Sequence, residues 1–346
     1  MRVMVMISGK SLGGSKQAFV DHCSMLADEG FEIHPVIRHG SQLKGYCERL
    51  NPSWLPRLRQ IRFYRSRFGF VRSHAISVVG RLIESVKPDV LVLHKQSDLP
   101  LLKEACPELP ILVIGHWFNA KGLTRDDTVL PVSHAVKEFL NSRGITQPMD
   151  VLPNVIKVPS EKPQIGSHDV FTFGTLAVFR RKKNLELLID ACAELKRLGK
   201  PFRCVIGGAG HRRFLLRYAI WRKGLSKEVS LLPWVEDKAD FYAKLDAYCL
   251  TSNSETFGIA LLEAMSYGVP LVSTDCGGPG SIIRSSELGL LIPVGDVKAL
   301  TEALLRLMDH PDKRQAMAKA AYDHVKTHYD YAAVAGRLAG IVREVA

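Results

Sequence analysis

Residues 1–38 read MRVMVMISGKSLGGSKQAFVDHCSMLADEGFEIHPVIR. The first apolar run, residues 3–7, is short and rich in valine and methionine, as a strand buried on both faces is. Residues 15–29 follow as a helix, and Gly30 closes it because glycine accepts the left-handed backbone that ends helices. Residues 31–37 are a second strand-like run. The order strand, helix, strand predicts a β-α-β unit of a parallel sheet. Between the first strand and the helix lies Gly9-Lys10-Ser11-Leu12-Gly13-Gly14-Ser15. Glycines there let backbone approach a ligand, and the helix start offers unpaired N–H groups to an anion. The spacing is neither a Walker A loop nor G-x-G-x-x-G. A tight strand-to-helix turn accounts for it equally well.

The same rhythm runs outward along the chain. Residues 89–94 and 111–115 are further buried strands. Residues 153–167 interrupt the pattern with Pro153, Pro159, Pro163, Gly166 and Ser167, the composition of a linker. The alternation then restarts, with strands at 170–177, 202–207, 247–251, 270–273 and 289–293 and a helix near 184–198. The fold class expected is α/β, with two Rossmann-like doubly wound domains in tandem. Residues 1–160 form the first and 161–325 the second, while residues 326–346 form a C-terminal helix crossing back to the first. In such sheets ligands sit beyond the carboxyl ends of the strands, so the cleft between the domains is the expected site. No internal sequence repeat is visible.

The bulk numbers agree with this division. The chain has 346 residues, 46% of them hydrophobic and 24% charged, enough for two domains that each bury a core. The formal net charge of +12 favours phosphate-bearing substrates, anionic lipid or nucleic acid without choosing among them. The N-terminal apolar run is too short for a signal peptide, and no run approaches the roughly 20 apolar residues that span a bilayer. The seven cysteines are scattered with no C-x-x-C, which reads as reduced thiols in a cytosolic chain without structural zinc.

The stretch that carries chemistry is Ser252-Asn253-Ser254-Glu255-Thr256-Phe257-Gly258-Ile259-Ala260-Leu261-Leu262-Glu263-Ala264-Met265-Ser266-Tyr267-Gly268-Val269-Pro270. A strand ends in polar residues and a helix of about three turns is expected after it. Glu255 lies at the turn, and Glu263 stands inside an otherwise apolar helix, where an unpaired carboxylate is costly. Carboxylates accept hydrogen bonds from hydroxyls, and sugars are rich in hydroxyls. Against this, a helix-start glutamate and an exposed one need no ligand.

This segment resembles the E-x7-E region of family 4 glycosyltransferases, which have the GT-B fold of two Rossmann-like domains facing a central cleft. Five further segments resemble that family in order. They are Gly13-Gly14; Leu152-Pro153-Asn154-Val155, with Val155 where the family has glycine; Val205-Ile206-Gly207-Gly208-Ala209-Gly210; Ser273-Thr274-Asp275-Cys276-Gly277-Gly278-Pro279; and Gly289-Leu290-Leu291-Ile292-Pro293 with Asp296. The resemblance implies a retaining hexosyltransferase that needs no metal or cofactor and uses a nucleotide-sugar donor, a UDP-sugar being expected. It implies that Glu263 binds the ribose hydroxyls and Glu255 the transferred sugar. Backbone near Phe257, Gly258, Gly13 and Gly14 would hold the diphosphate or sugar. His116, at a strand end, matches a histidine beside the donor sugar, and Lys183 matches a lysine of the donor site. His94, also ending a strand, is expected to line the acceptor side. The implied path is front-face attack, with the leaving phosphate helping to deprotonate the acceptor and no protein nucleophile.

The chain departs from the family at Val178, which stands where an arginine normally offsets charge on the leaving diphosphate. Arg180 or Arg181 is the expected substitute, because a guanidinium suits phosphate. Ser281 stands near where the family often has a glutamate.

From Trp54 to Arg72 there are six arginines, among them Arg62, Arg65 and Arg67, and no acid. Trp54, Phe63, Tyr64, Phe68 and Phe70 are interleaved with them. Such a mixture suits anionic lipid headgroups, though a solvated helix with its aromatics turned inward would read the same. The basic residues at 211–223 are read as a solvated helix face. The expected acceptor is a glycan or glycolipid of the cell envelope, such as a lipopolysaccharide core. The expected place is the cytoplasm, at the inner face of the plasma membrane, with no nucleic-acid partner. Competing readings are a soluble or nucleic-acid acceptor, a non-catalytic scaffold, which Val178 favours, and a sugar-nucleotide epimerase, against which the ordered motifs speak.

Overall fold

The computed structural model describes residues 1–9, 13–62, 69–147, 149–159 and 168–346. Two compact units make up the chain, Met1–Val155 with Tyr331–Ala346, and Ile156–Asp330. The chain passes between them at 155/156 and 330/331, where the sequence suggested 160/161 and 325/326.

The first unit runs β1 (Arg2–Ile7), α1 (Gly14–Asp28), β2 (Glu32–Arg38), α2 (Leu43–Leu50), β3 (Arg59–Ile61), α3 (Gly69–Val86), β4 (Val90–Leu93), α4 (Leu99–Ala105), β5 (Ile111–Gly115), β6 (Thr128–Pro131) and α5 (His134–Ser142). Its six strands are all parallel, in the order β3-β2-β1-β4-β5-β6. Val5 pairs with Pro35 on one side and Val92 on the other, and residues 3–7 are all buried, so β1 sits inside the sheet with both faces covered. That is why its run is apolar without alternation.

The second unit runs β7 (Thr172–Leu176), α6 (Leu185–Arg197), β8 (Arg203–Gly207), α7 (Arg213–Arg222), β9 (Val229–Leu232), α8 (Lys238–Ala243), β10 (Ala247–Leu250), α9 (Ile259–Ser266), β11 (Leu271–Thr274), α10 (Gly278–Ile282), β12 (Leu290–Ile292), α11 (Val297–Asp309) and α12 (Pro311–His328). Its parallel sheet has the order β12-β11-β10-β7-β8-β9, which is the order of the first unit again. Phe173, Leu188, Ile206, Cys249, Val272 and Leu304 are among the residues of its core. The last helix, α13 (Tyr331–Val345), belongs to the first unit and packs on α1. Residues 326–346 are therefore not one helix: the end of α12 stays in the second unit, and the break falls at Tyr329-Asp330.

Three strands went unread in the sequence, β3, β6 and β9, and all three are sheet edges. An edge strand needs no continuous apolar run, because one side lacks a neighbour. β3 has two of its three residues exposed. It also redraws the arginine-rich stretch, which is a short turn at Leu55–Arg57, the edge strand, and then α3. Trp54 is buried with its indole N–H on Ser24 Oγ at 2.9 Å, so it offers nothing to a lipid surface.

Candidate active site

In a doubly wound sheet the strand order reverses beside the first strand, and ligands bind beyond the carboxyl ends of the two strands at that point. In the second unit these are β7 and β10. The chain leaving β7 is tied to the chain leaving β8 by bonds from Ala177 N to Gly207 O (3.0 Å) and Phe179 N to Ala209 O (2.8 Å). It makes a short turn at Arg181–Lys183 and enters α6 through Asn184, which takes the left-handed conformation (φ 44°). The chain leaving β10 is stitched to this turn by Asn253 N on Lys182 O (2.8 Å) and Thr251 Oγ1 on Lys183 O (3.1 Å). These ties bring Lys183 Nζ to 2.5 Å from Glu255 Oε1, which also accepts from Ser252 Oγ at 2.8 Å.

Glu255 is not at a helix start. Its backbone forms an isolated parallel bridge with Gly277, with Glu255 N on Cys276 O (3.0 Å) and Gly278 N on Glu255 O (2.8 Å). Gly258, with φ 106°, then redirects the chain, and α9 begins only at Ile259 with eight residues. The helix is shorter than the three turns expected, because this bridge claims the residues before it. Glu263 lies one turn into α9. Its Oε1 meets Lys238 Nζ at 2.5 Å, and its Oε2 accepts from the Tyr242 hydroxyl at 3.2 Å. Tyr242 is buried and stacked on Tyr267, with centroids 5.1 Å apart, and burial holds its hydroxyl protonated far above the usual range. Phe257 is buried beside Tyr329.

Both expected glutamates thus carry a lysine partner and keep little exposure, 14% and 15% of their side chains. Val178 is half-buried, while Arg180 and Arg181 are exposed on the same loop as Lys183. Lys238 and Tyr242 were not singled out in the sequence, and Ser252 stood in the quoted stretch without a role. No motif marks Lys238 or Tyr242, and all three meet the glutamates only through the fold.

In the first unit the reversal lies between β1 and β4. Gly13 precedes α1 in extended backbone, a side-chain carbon there would meet nothing within 4 Å, and Gly14 is the first helical residue. Residues 10–12 of the glycine loop lie outside the described residues. Lys16, buried on α1, donates from Nζ to Gly9 O at 2.8 Å. Desolvation, with Lys95 adding to it and Asp98 opposing, lowers its pKa to about 8.

Three histidines of the first unit lie together. His94 Nδ1 and His116 Nε2 are 3.0 Å apart, and the His22 ring centroid is 4.9 Å from that of His94. Burial lowers His22 to about 4; burial, then His22 and Lys16, lower His116 to about 3; and burial, then the other two histidines and Lys16, hold His94 well below the usual value. His94 is fully buried, with its Nδ1 facing His116 Nε2. His22, within a helix, carried no sequence signal. Arg62 is exposed and lies 2.8 Å from His39 Nε2, whereas Arg65, Arg67, Phe63, Tyr64 and Phe68 lie outside the described residues. Among the described residues no group of three or more His, Cys, Asp or Glu side chains is arranged to hold a metal, and no helix is long and apolar enough to cross a membrane.

Residues 159–324 match the family model described as "Glycosyl transferases group 1". The chain is 31% identical over 166 residues to the alpha-D-kanosaminyltransferase of Streptomyces kanamyceticus, a match covering 47% of this chain and 43%, less than half, of that relative. It is 24% identical over 318 residues to the lipopolysaccharide core biosynthesis glycosyltransferase LpsE of Rhizobium meliloti, covering 90% of each. Among solved structures, Anabaena HepE in complex with UDP and glucose superposes with a TM-score of 0.83 at 17% identity, covering 99% of this chain and 100% of that one. The chain has the GT-B fold of two Rossmann-like units, and the stretch that matches the group 1 glycosyl transferase model holds Lys183, Glu255 and Glu263.

Proposed function

We propose that this chain is a retaining glycosyltransferase that moves a hexose from a UDP-sugar to a glycan or glycolipid acceptor of the cell envelope. The observation that carries the reading is the convergence of Lys183, Glu255 and Ser252 at the β7/β10 switch point, with Glu263 on α9 next along the same loop. Glu263 accepts the ribose hydroxyls and Glu255 a hydroxyl of the sugar, both oriented beforehand by their lysines. Lys183 and the exposed Arg180 or Arg181 offset charge on the leaving diphosphate in place of the arginine absent at Val178. Backbone at Phe257, Gly258, Gly13 and Gly14 approaches the diphosphate and sugar, and His116 stands beside the donor sugar. The protein's contribution is positioning and charge stabilisation, with the leaving phosphate taking the acceptor proton. The lipopolysaccharide-core relative and the UDP-bound neighbour support the acceptor class and the donor base. The same reading puts the reaction on the cytoplasmic side of the membrane that carries the acceptor.

The test is a melting series with UDP, GDP, ADP, CMP and their sugar conjugates. A ligand at one hundred times its dissociation constant stabilises by about 2.7 kcal/mol. UDP and UDP-sugars are expected to raise the midpoint, and Glu263→Ala to abolish the rise, with Glu263→Gln keeping the acceptor for Tyr242 as the control for folding. A shift with none of the nucleotides would sink the donor-site reading. Val178 favours one second reading, a scaffold that binds nucleotide without turnover, and binding with neither transfer nor donor hydrolysis would establish it.

A further inference from the structure

α7 reads RFLLRYAIWR from Arg213 to Arg222. Leu216 and Ile220, four apart, are its buried anchors. The opposite side of a surface helix is ordinarily polar. Here Phe214, Tyr218 and Trp221 stand there, spaced four and three so that they share one face, and they are 76%, 50% and 68% exposed. Leu215 beside them is 49% exposed, and the Tyr218 and Trp221 rings lie 5.9 Å apart. Arg213 hydrogen-bonds the carbonyls of Leu231 and Leu232, which ties the helix start to the strand end that leads to Trp234, itself 59% exposed. Of the other large exposed apolar side chains among the described residues, only Phe70 is aromatic.

Charge runs through the same surface. Arg217, Arg222, Lys223 and Lys227 are exposed, and no Asp or Glu occurs between Glu194 and Glu228. Two acids on α6 are engaged by this basic run, Glu186 by Arg212 at 2.5 Å and Asp190 by Lys223 at 3.1 Å, and the exposed acids Glu236 and Asp237 follow Trp234. A solvated basic face, the reading suggested by the sequence, accounts for the arginines but leaves three exposed aromatic rings on one stripe unexplained. Aromatic rings that carry a polar edge settle at the headgroup level of a bilayer, and arginines flanking them meet anionic headgroups.

We propose that the outward face of α7, with Trp234, is a docking surface for anionic membrane lipid. The rings insert among the headgroups while Arg217 and Arg222 hold lipid phosphates. The surface owes nothing to the donor site, so it stands or falls separately from the UDP-sugar reading.

The experiment is co-sedimentation of the full chain with vesicles of phosphatidylglycerol mixed with phosphatidylcholine, and with phosphatidylcholine alone. The wild type is expected to bind the anionic vesicles more tightly, with a blue shift of tryptophan emission. Phe214→Ser/Tyr218→Ser/Trp221→Ser and, separately, Arg217→Gln/Arg222→Gln are expected to weaken binding about tenfold or more. Both variants should keep the melting midpoint and the response to UDP, because the altered side chains are exposed. The arginine variant keeps the test decisive if the serine variant folds poorly. Equal binding of wild type and variants would overturn the proposal, as would a wild type that ignores anionic vesicles. So would loss of binding with Arg62→Ser and not with the α7 variants, which would move the surface to the first unit. A face that instead pairs two copies would show in sedimentation velocity as a dimer abolished by the serine variant, with vesicle binding unchanged, and this too would overturn it.

Discussion

At the scale of single residues, His22, His94 and His116 are three bases folded where none readily holds a proton. Neither ring nitrogen of His22 meets a hydrogen-bond partner among the described residues, while Nε2 of His116 is taken up by His94. That contact leaves Nδ1 as the nitrogen of His116 not engaged by its neighbour. Folding keeps these imidazoles neutral, so the unfolded chain binds more protons once the pH drops below the ordinary value of 6.5. Stability present above pH 6.5 should therefore fall towards about 4, where His22 titrates in the fold, with His116 following nearer 3. A histidine that is neutral in the fold and protonated in the unfolded chain contributes about 1.4 kcal/mol per pH unit. Urea midpoints measured between pH 7 and pH 4, roughly the window this linkage covers, should show a steep acid limb. His22→Leu should make it shallower and raise the midpoint near neutral pH, because an unpartnered buried polar group is removed. An acid limb of unchanged slope in His22→Leu would show that His22 is charged in the fold after all. His94 and His116 were legible as strand-end histidines, but their contact with each other and with His22 was not.

At the scale of elements, glycines decide how the site loops fit together, and they fall into two kinds. A side-chain carbon on Gly278 would lie 2.3 Å from the backbone nitrogen of Phe257, and one on Gly208 would lie 1.9 Å from the carbonyl oxygen of Ala177, with φ 140° adding strain. These two glycines press the loops of Glu255 and Lys183 into place. Gly278→Ala and Gly208→Ala should each destabilise by about 1–3 kcal/mol and disturb UDP binding in parallel. Gly13 meets no such demand, since the space around it is open and its backbone is extended. Gly13→Ala should melt with the wild type and still lose donor affinity or turnover, because the added methyl stands where a ligand approaches. Melting curves beside UDP-sugar titrations separate the two kinds. A Gly13→Ala enzyme with normal kinetics would return that loop to a plain turn. The glycine motifs were visible as strings of letters. Which of them are required by packing and which by a ligand depends on what lies opposite, and the string does not contain that.

At the scale of the whole molecule, the chain leaves the first unit at Val155 and comes back at Tyr331. α13 lays Val334, Leu338 and Val342 into the first unit, and the Tyr331 hydroxyl donates to Asp28 Oδ2 at 2.7 Å. Each buried side chain of that size contributes about 1.5–3 kcal/mol, so the first unit is incomplete without its last sixteen residues, Tyr331–Ala346. A chain ending at Asp330 should lose amide-exchange protection in α1 and β1, while α9 and α11 of the second unit keep theirs and UDP still protects the second unit. Undiminished protection in α1 would show that α13 is only an appendage.

The sequence by itself determined the alternation of strands and helices, the two doubly wound sheets and the ordered glycosyltransferase motifs. These are encoded in the periodicity of apolar residues and in glycines and prolines at chain turns, which neighbouring residues settle among themselves. The tertiary structure alone decided the partnerships. Lys183 reaches Glu255 across 72 residues, Lys238 reaches Glu263 across 25, and His94 reaches His116 across 22. It also buried Trp54, made β3, β6 and β9 into sheet edges, and turned Phe214, Tyr218 and Trp221 outward on α7. Such outcomes depend on sheet order and on which face of an element the core occupies. Those are set by long-range packing, and a residue's neighbours in the chain carry no record of them.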